Sequence, residues 1–524
     1  MRQRVAIAAA LVTVVLGPAA MAQERAEQLG TVSFPISCNE AAQREFTRGL
    51  ALYHSFFFSA AVKSFTAATT LDPSCAMAHW GVAMGHWYPL WAPPTEGALK
   101  AGTAAVERAK AIGGRTPRER DYIAAIEHFY RDVDKLPHPA RALAYERAME
   151  PLVQRYPDDA EAAILYALAL QAAASPTDKT YSKQLKSAQI LEKLFVEQPK
   201  HPGVAHYLIH AYDYPALAQR GLPAARRYGQ IAPSVPHALH MPSHTYTQLG
   251  LWEDSIRSNR ASEAAARDLG DAAPQFHSLD YQVYAHLQLA QDAAAKRAID
   301  RHRQVQNARP GMNQMHYGVS AGPARWVVER KQWSEAAALE VLPGPFAYTQ
   351  ALTHFARALG QARSGDVAGA RKDVERLEAL REAQAKQVPY WATQIEIQRR
   401  AATAWIALAE KKTGDAVTLM RSAADLEGTT DKNPLTPGAI VPARELLGDM
   451  LLETGDAAQA LREFEASLKN EPNRLNGLWG AAQAAERSGD LAKAKEYYTK
   501  LVTLAAGADT ERAALREAKA FLTK

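Results

Sequence analysis

Apolar residues recur every three to four positions along most of the chain, and the pattern is clearest near the C-terminus. Three features repeat there at a spacing of 34 residues: Gly455-Asp456 with Gly489-Asp490, Ala460 with Ala494, and Phe464 with Tyr498. The 3-4 pattern predicts α-helices, and small residues at fixed offsets let two helices approach closely. No segment is rich in strand-forming residues, so we predict an all-α chain built from repeated helix pairs.

The same spacing appears at the beginning of the chain. Gly49, Ala61, Phe65 and Pro73 have the mutual offsets of Gly448, Ala460, Phe464 and Pro472. With the C-terminal repeats, these residues resemble the tetratricopeptide repeat family. The resemblance is good over 42–75 and 441–505 and partial over 186–269, where Pro199 and Pro233 are 34 apart and Gly250 takes the loop position. It implies an all-α solenoid of antiparallel helix pairs, wound as a right-handed superhelix, with a concave groove for a ligand.

Four regions are predicted along the chain. Residues 1–22 are a signal peptide, 23–306 an N-terminal helical region, 307–345 an irregular linker and 346–524 a C-terminal repeat region. The linker rests on Pro310-Gly311, Gly318, Gly322-Pro323 and Leu342-Pro343-Gly344-Pro345, which interrupt the helical pattern.

The N-terminus predicts export. Arg2 and Arg4 precede an apolar core, Val5 to Leu16, and Ala20-Met21-Ala22 is typical of a cleavage site before Gln23. The apolar run is too short to cross a bilayer, so we expect a mature protein in the periplasm or outside the cell, without a membrane span. In that oxidising compartment, the pair Cys38 and Cys75 is interpreted as a disulfide, with two buried thiols as the alternative.

Charge and motifs exclude several classes of function. The chain has 61 Lys and Arg against 56 Asp and Glu, and removal of Arg2 and Arg4 leaves 59 against 56, a net charge of +3. No basic run suggests a nucleic-acid partner. The sequence contains no P-loop and no C-x-x-C-H motif, so neither a nucleotide nor haem is expected, and no common protease or hydrolase motif is found.

The candidate chemistry lies in a doubled histidine pair. His206 and His210 are four residues apart, as are His240 and His244, and the second pair follows the first by 34 residues. Residues four apart lie on one helix face, so two stacked repeats would bring four imidazoles together. Pro242 could instead begin a new helix and turn His240 away from His244.

Neutral imidazoles favour a transition metal, with Zn, Cu or Fe as candidates. Asp213 and His277 extend the predicted set of metal ligands, while Asp280, Tyr281, Tyr284 and His237 are candidates for outer-shell or substrate contacts. Whether the histidines hold one ion or two is open. Hydrogen bonding to an organic ligand is the competing interpretation.

The histidine segments also resemble a set of exported bacterial proteins of the same repeat type. The motifs are His201-Pro-Gly-Val-Ala-His206-Tyr-Leu-Ile-His210 and His237-Ala-Leu-His240-Met-Pro-Ser-His244. This resemblance implies a site without naming its chemistry. The aromatic run Phe56 to Phe58 is interpreted as core.

The sequence is therefore compatible with three functions. The first is a solenoid that binds a protein segment or small molecule in its groove beside a histidine metal site. The second is a metal-dependent hydrolase or oxidoreductase on the same residues, and the third is an interaction scaffold without metal. An open coordination position facing an aromatic-lined cavity would favour the enzyme.

Overall fold

The computed structural model describes residues 27–90 and 93–524, so the predicted signal peptide and its cleavage site lie outside the described residues. Within these ranges every regular element is a helix. The first twelve are α1 (Glu40–His54), α2 (Phe58–Leu71), α3 (Ala76–His86), α4 (Glu96–Ile112), α5 (Pro117–Tyr130), α6 (His138–Arg155), α7 (Ala160–Ala172), α8 (Ser182–Glu197), α9 (Pro202–Ala211), α10 (Ala218–Ile231), α11 (Pro236–His240) and α12 (Pro242–Gln248).

The remaining helices run to the C-terminus. They are α13 (Trp252–Asp268), α14 (Ala272–Gln288), α15 (Asp292–His302), α16 (Asn313–Glu329), α17 (Trp333–Ala337), α18 (Ala347–Arg363), α19 (Val367–Ala385), α20 (Pro389–Ala409), α21 (Thr413–Glu427), α22 (Ala443–Glu453), α23 (Ala457–Asn470), α24 (Leu475–Arg487), α25 (Leu491–Leu504) and α26 (Ala513–Leu522).

The helices form a solenoid of pairs, as predicted. Nearly every helix packs on the next, and from α14 to α26 alternate helices also touch along one side, as expected when one helix of each pair lines the same face. Contacts between helices far apart in the sequence include those of α1 with α9 and of α14 with α24. Both bring distant repeats to the helices that carry the histidines.

The predicted repeat residues have a clear packing role. Gly49 and Gly81 enclose the ring of Phe65: a Cβ on Gly81 would lie 2.4 Å from its Cδ1. Gly448 and Gly480 enclose Phe464 in the same way. Glycine is therefore required for the close approach of successive helices.

The glycines in the turns between helices are required for their backbone conformation. Gly250, Gly455 and Gly489 adopt φ values of 65°, 92° and 86°, in the left-handed region that ends a helix at low cost for glycine.

The prediction of an irregular linker over 307–345 is wrong in its central part, where α16 and α17 lie. A Cβ on Gly318 would lie 2.9 Å from Nε2 of His302, so this glycine serves close packing of α16 on α15. Pro323 lies inside α16, which loses one backbone hydrogen bond there. The larger hydrophobic cores instead divide near α13 to α15, one core ending at Tyr246 and the other beginning at Ala290.

Cys38 and Cys75 form a disulfide with a Cα–Cα distance of 5.3 Å. The two residues flank the antiparallel pair α1 and α2, so the bond closes the first repeat. Among the described helices, none combines the length and apolar character that a membrane crossing requires.

Candidate metal centre

Six histidines from four helices converge in the interior, next to the contact of α1 with α9. They come from α9 (His206 and His210), α11 (His237 and His240), α12 (His244) and α14 (His277). The predicted pairs are therefore joined by His237, which lies on α11 with His240, and by His277, which lies on α14.

His206, His210 and His237 form the first histidine group. Nε2 of His206 lies 3.0 Å from Nε2 of His210 and 3.1 Å from Nε2 of His237. Two nitrogens bound to one tetrahedral ion at about 2.0–2.1 Å would be roughly 3.3 Å apart, so the ring nitrogens lie near ligand spacing.

His240, His244 and His277 form the second histidine group. Nε2 of His240 lies 3.0 Å from Nε2 of His244, and the rings of His240 and His277 are 4.3 Å apart between centroids. Within each group the nearest ligand atoms all lie within 4.8 Å of one another. The groups are adjacent, since the ring centroids of His210 and His244 are 6.3 Å apart.

In His206, His240 and His244 the other ring nitrogen, Nδ1, donates to a fixed acceptor. Nδ1 of His206 donates to the backbone oxygen of His54 at 2.6 Å. Nδ1 of His240 donates to Oδ1 of Asn259 at 2.7 Å, and the amide of Asn259 is held in that orientation because its Nδ2 donates to the backbone oxygen of Ser255. Nδ1 of His244 donates to Oδ2 of Asp213 at 2.7 Å. This is the outer-shell arrangement of metal-bound imidazoles.

These hydrogen bonds leave a specific problem at the second histidine group. Because both Nδ1 atoms carry the ring proton, Nε2 of His240 and Nε2 of His244 both present lone pairs, 3.0 Å apart. Two lone pairs at that distance repel each other unless a cation lies between them. The donor arrangement therefore fits a metal ion.

Burial keeps these imidazoles neutral. It lowers the pKa of His240 to about 4 and lowers the pKa of His244 well below its ordinary value. The neighbouring Lys432 and His240 lower the pKa of His244 further. A neutral imidazole is the form that binds metal.

Pro242 breaks the helix without separating the pair. It is the first residue of α12, and Met241 joins α11 to α12 in helical conformation (φ −52°, ψ −36°). The direction of the chain is therefore preserved, and His240 stays beside His244.

In a third cluster, formed by His54, Glu161 and His201, each ring nitrogen and each carboxylate oxygen has a hydrogen-bond partner. Oε2 and Oε1 of Glu161 accept from Nε2 of His54 at 3.0 Å and from Nε2 of His201 at 2.8 Å. The remaining nitrogens accept from the Tyr207 hydroxyl and from the backbone N–H of Val204. Although burial alone would raise the pKa of Glu161, the two histidines hold it below its ordinary range. This cluster supports the turn that carries the His54 carbonyl.

A cavity of about 430 Å³ opens onto the second histidine group. His240, His244 and His277 all line it, whereas of the first group only His237 does. Its other walls are largely apolar and aromatic, formed by Phe56, Phe57, Phe58, Tyr88, Pro89, Leu90, Val235, Pro236, Pro434 and Leu435. Phe56 belongs to the N-terminal hydrophobic core and Phe57 and Phe58 pack against it, as predicted, and the three residues also line this cavity.

Phe56 has a strained backbone. Its φ of 52° is in the left-handed region, at the position after α1 where helices usually place glycine. Its N–H donates to the oxygen of Tyr53 at 2.9 Å, and that of Phe57 donates to Leu52 at 3.0 Å, as in a Schellman motif. A bulky residue there costs on the order of 1–3 kcal/mol. The Phe56 ring lies 4.4 Å from the ring of His206 and stacks on His210 at 5.6 Å.

Several predicted roles differ in the structure. Asp213 orients His244 from the side of the ring opposite Nε2, and it also accepts from Lys432 Nζ at 3.2 Å. His237, predicted as an outer contact, supplies a nitrogen to the first histidine group. Tyr281 lies at the second group, with its hydroxyl 3.4 Å from Nε2 of His244 and donating to the backbone oxygen of Thr436 at 3.2 Å.

Asp280 and Tyr284 lie outside the site. Asp280 forms an ion pair with buried Arg325, which in turn binds the backbone oxygen of Gly438 at 2.9 Å. Burial raises the pKa of Asp280 to about 6. The hydroxyl of Tyr284 accepts from Arg474 at 2.7 Å. Tyr284 lies two turns beyond His277 on α14, and both Asp280 and Tyr284 are engaged by buried arginines rather than by the histidines.

Sequence reasoning missed the partners that come from distant segments. Asn259 on α13, the His54 carbonyl and Lys432 reach the histidines only through tertiary packing. The sequence contained a weak indication that position 56 is unusual, because α1 ends there without the glycine or asparagine that commonly follows a helix.

Residues 476–507, which cover α24 and α25, match the tetratricopeptide repeat family. No curated protein sequence matches the chain. Among solved structures it is similar to the human IFIT1 dimer with PPP-AAAA (12% identity, 90% of this chain and 96% of that chain, TM-score 0.35). It is also similar to the APC/C hetero-tetramer Cut9-Hcn1 (9% identity, 93% and 96%, TM-score 0.32). At these TM-scores the likenesses carry no functional conclusion. The repeat match and the helix pairs support the predicted relationship to the tetratricopeptide repeat family.

Proposed function

We propose that this chain is a metal-dependent enzyme that holds two transition-metal ions side by side, one on each histidine group. The facing lone pairs of His240 and His244, 3.0 Å apart, are the observation that carries the proposal. The first histidine group supports a second ion through its similar spacing and through the same kind of outer-shell hydrogen bond on His206.

The coordination favours an enzyme over a structural metal site. Each group supplies three nitrogens, and three protein ligands with an open position are typical of catalytic sites. At the second group the open side faces the aromatic-walled cavity, which has the size of a pocket for a small organic molecule. A bound metal would act there as a Lewis acid or as a redox centre.

The protein residues position the reaction. Asp213 and Asn259 hold His244 and His240 in the tautomer that presents Nε2. Tyr281 keeps its hydroxyl 3.4 Å from Nε2 of His244, and its donation to the backbone oxygen of Thr436 fixes that position. Pro434 and Leu435 line one side of the cavity.

Copper is the first expectation for the metal and zinc the second. An all-imidazole site suits both, and affinity for such a site peaks at Cu²⁺ in the divalent series. Copper would indicate an oxidoreductase and zinc a hydrolase. We further propose that the protein works after export, which the disulfide between Cys38 and Cys75 supports.

Elemental analysis of the mature protein, purified without a histidine tag, tests the proposal. We expect two ions per chain, one for each group, and loss of one ion in either His240→Ala or His206→Ala. The double variant His206→Ala/His244→Ala should lose both with little change in helical content. His354→Ala is a matched control, because His354 is also buried and paired with a carboxylate, Asp373.

Two outcomes would overturn the proposal. One is a wild-type protein that takes up no Cu²⁺, Zn²⁺ or Fe²⁺ after reconstitution. The other is a double variant that keeps its full metal content. Either result would indicate that the histidines form hydrogen bonds and do not bind metal. It would then favour a groove that binds a peptide or protein partner.

A further inference from the structure

The two histidine groups differ in their access to the cavity. His240, His244 and His277 all line it, while His206 and His210 do not. The ring of Phe56 lies between the first group and the cavity, at 4.4 Å from the ring of His206 and at 5.6 Å from that of His210. A substrate in the cavity therefore meets the second group.

The backbone conformation at Phe56 accompanies the position of its ring over the first histidine group. The residue holds a left-handed conformation at which a helix end ordinarily has glycine. Glycine would remove the strain and also the ring that shields His206 and His210.

The cavity walls indicate the chemistry of the occupant. Phe58 lies 5.1 Å from Phe56 and 5.0 Å from Tyr88 between ring centroids, so the three rings form a continuous aromatic wall. Among the described residues that line the cavity there is no Lys or Arg, and the acidic side chain is Asp271. A wall without cationic side chains does not select an anion, whereas Asp271 and Asn313 can accept a hydrogen bond from a hydroxyl or amine.

We propose that the cavity binds an uncharged aromatic molecule bearing a hydroxyl or amine, and that this molecule reaches the second histidine group in preference to the first, because Phe56 covers His206 and His210 and leaves only His237 of the first group at the cavity. The assignment of the two groups rests on the proposed metal function, whereas the selectivity of the cavity does not depend on a bound ion.

Calorimetry on the metal-free protein tests the selectivity. The probes are 2-naphthol, its saturated counterpart 2-decalol and the anion 2-naphthalenesulfonate. Aromatic contacts contribute about 0.5–1.5 kcal/mol beyond burial, so 2-naphthol should bind about two- to twelvefold more tightly than 2-decalol. Phe58→Leu should abolish that difference, and the sulfonate should bind more weakly than 2-naphthol. Equal affinities for the three probes would overturn the proposed substrate class.

Line broadening of 2-naphthol by bound Cu²⁺ tests which group it reaches. Broadening should persist in His210→Ala, which retains the second group, and should fall sharply in His277→Ala, which retains the first. In the double variant Phe56→Gly/His277→Ala it should return, because the first group is then uncovered. Phe56→Leu/His277→Ala keeps a side chain there and is the matched control.

The outcomes separate the two proposals. Equal broadening in His210→Ala and His277→Ala would overturn the role of Phe56 as a cover. A protein that binds no copper would overturn the metal function and the assignment of the groups, and calorimetry would still decide whether the cavity selects an aromatic molecule.

Discussion

Replacing Asp213 by asparagine tests whether the outer shell tunes one histidine group without the other. Oδ2 of Asp213 accepts from Nδ1 of His244 at 2.7 Å and from Lys432 at 3.2 Å, and Oδ1 accepts from Gln248 at 3.1 Å. An asparagine oxygen could still accept from His244, but as a weaker acceptor. If its amide nitrogen faced His244 instead, the ring would shift its proton to Nε2 and lose its ligand lone pair.

The expected magnitude follows from this geometry. Loss of an outer-shell partner typically costs 10- to 100-fold in metal affinity, which corresponds to about 1.4–2.7 kcal/mol. The loss should fall on the second histidine group, because the outer acceptor of His206 is the backbone oxygen of His54, which Asp213→Asn leaves in place.

Competition with a chromophoric chelator measures both binding steps for Zn²⁺ and Cu²⁺. The matched control is Asp373→Asn, since Asp373 accepts from Nδ1 of His354 at 2.6 Å in the same manner, far from the site. The reasoning would be refuted if Asp213→Asn bound both ions as tightly as the wild type, or if Asp213→Asn and Asp373→Asn weakened metal binding equally.

Three further predictions concern stability. Glu161→Gln should lower the free energy of unfolding by about 3 kcal/mol, because it removes a buried carboxylate that accepts hydrogen bonds from two histidines. Both metal ions should remain bound in this variant, and loss of an ion would indicate that Glu161 is a metal ligand. Replacing Cys38 and Cys75 by serine opens a loop of 37 residues and should cost about 4 kcal/mol in chemical denaturation, and an unchanged midpoint would contradict this. Burial lowers the pKa of His302 to about 4, so on acidification the unfolded chain takes up the proton first, and the free energy of unfolding falls as the pH drops from about 6.5 to 4. The variant His302→Leu should reduce that pH dependence by about 1.4 kcal/mol per pH unit. Urea denaturation that gave the same pH dependence for the variant and the wild type would contradict this prediction.

The sequence determined the fold class because helix periodicity and repeat spacing are local properties. Gly49 with Phe65, and Gly448 with Phe464, follow a period that can be counted along the chain, and their contacts in the structure follow from it. The pairing of His206 with His210, and of His240 with His244, was likewise readable, since four residues make one helical turn.

Tertiary structure alone decided how the histidines are shared. Arrangement into two groups of three depends on how α9, α11, α12 and α14 pack, and no local spacing places His237 with His206 or His277 with His240. It also decided which ring nitrogen binds. Asn259, Asp213 and the His54 carbonyl lie 19, 31 and 152 residues from the rings that they orient.

The same reason explains the failures of sequence reasoning. Pro323 and the glycines of α16 were expected to break a helix, but packing against α15 outweighed their weak local preferences. Phe56 lies in the core as expected, but its position between His206 and a cavity could not be predicted from local sequence. Local sequence sets which helices form, because hydrogen bonds within a helix join near neighbours. The chemistry of a buried site depends on side chains that only long-range packing brings together.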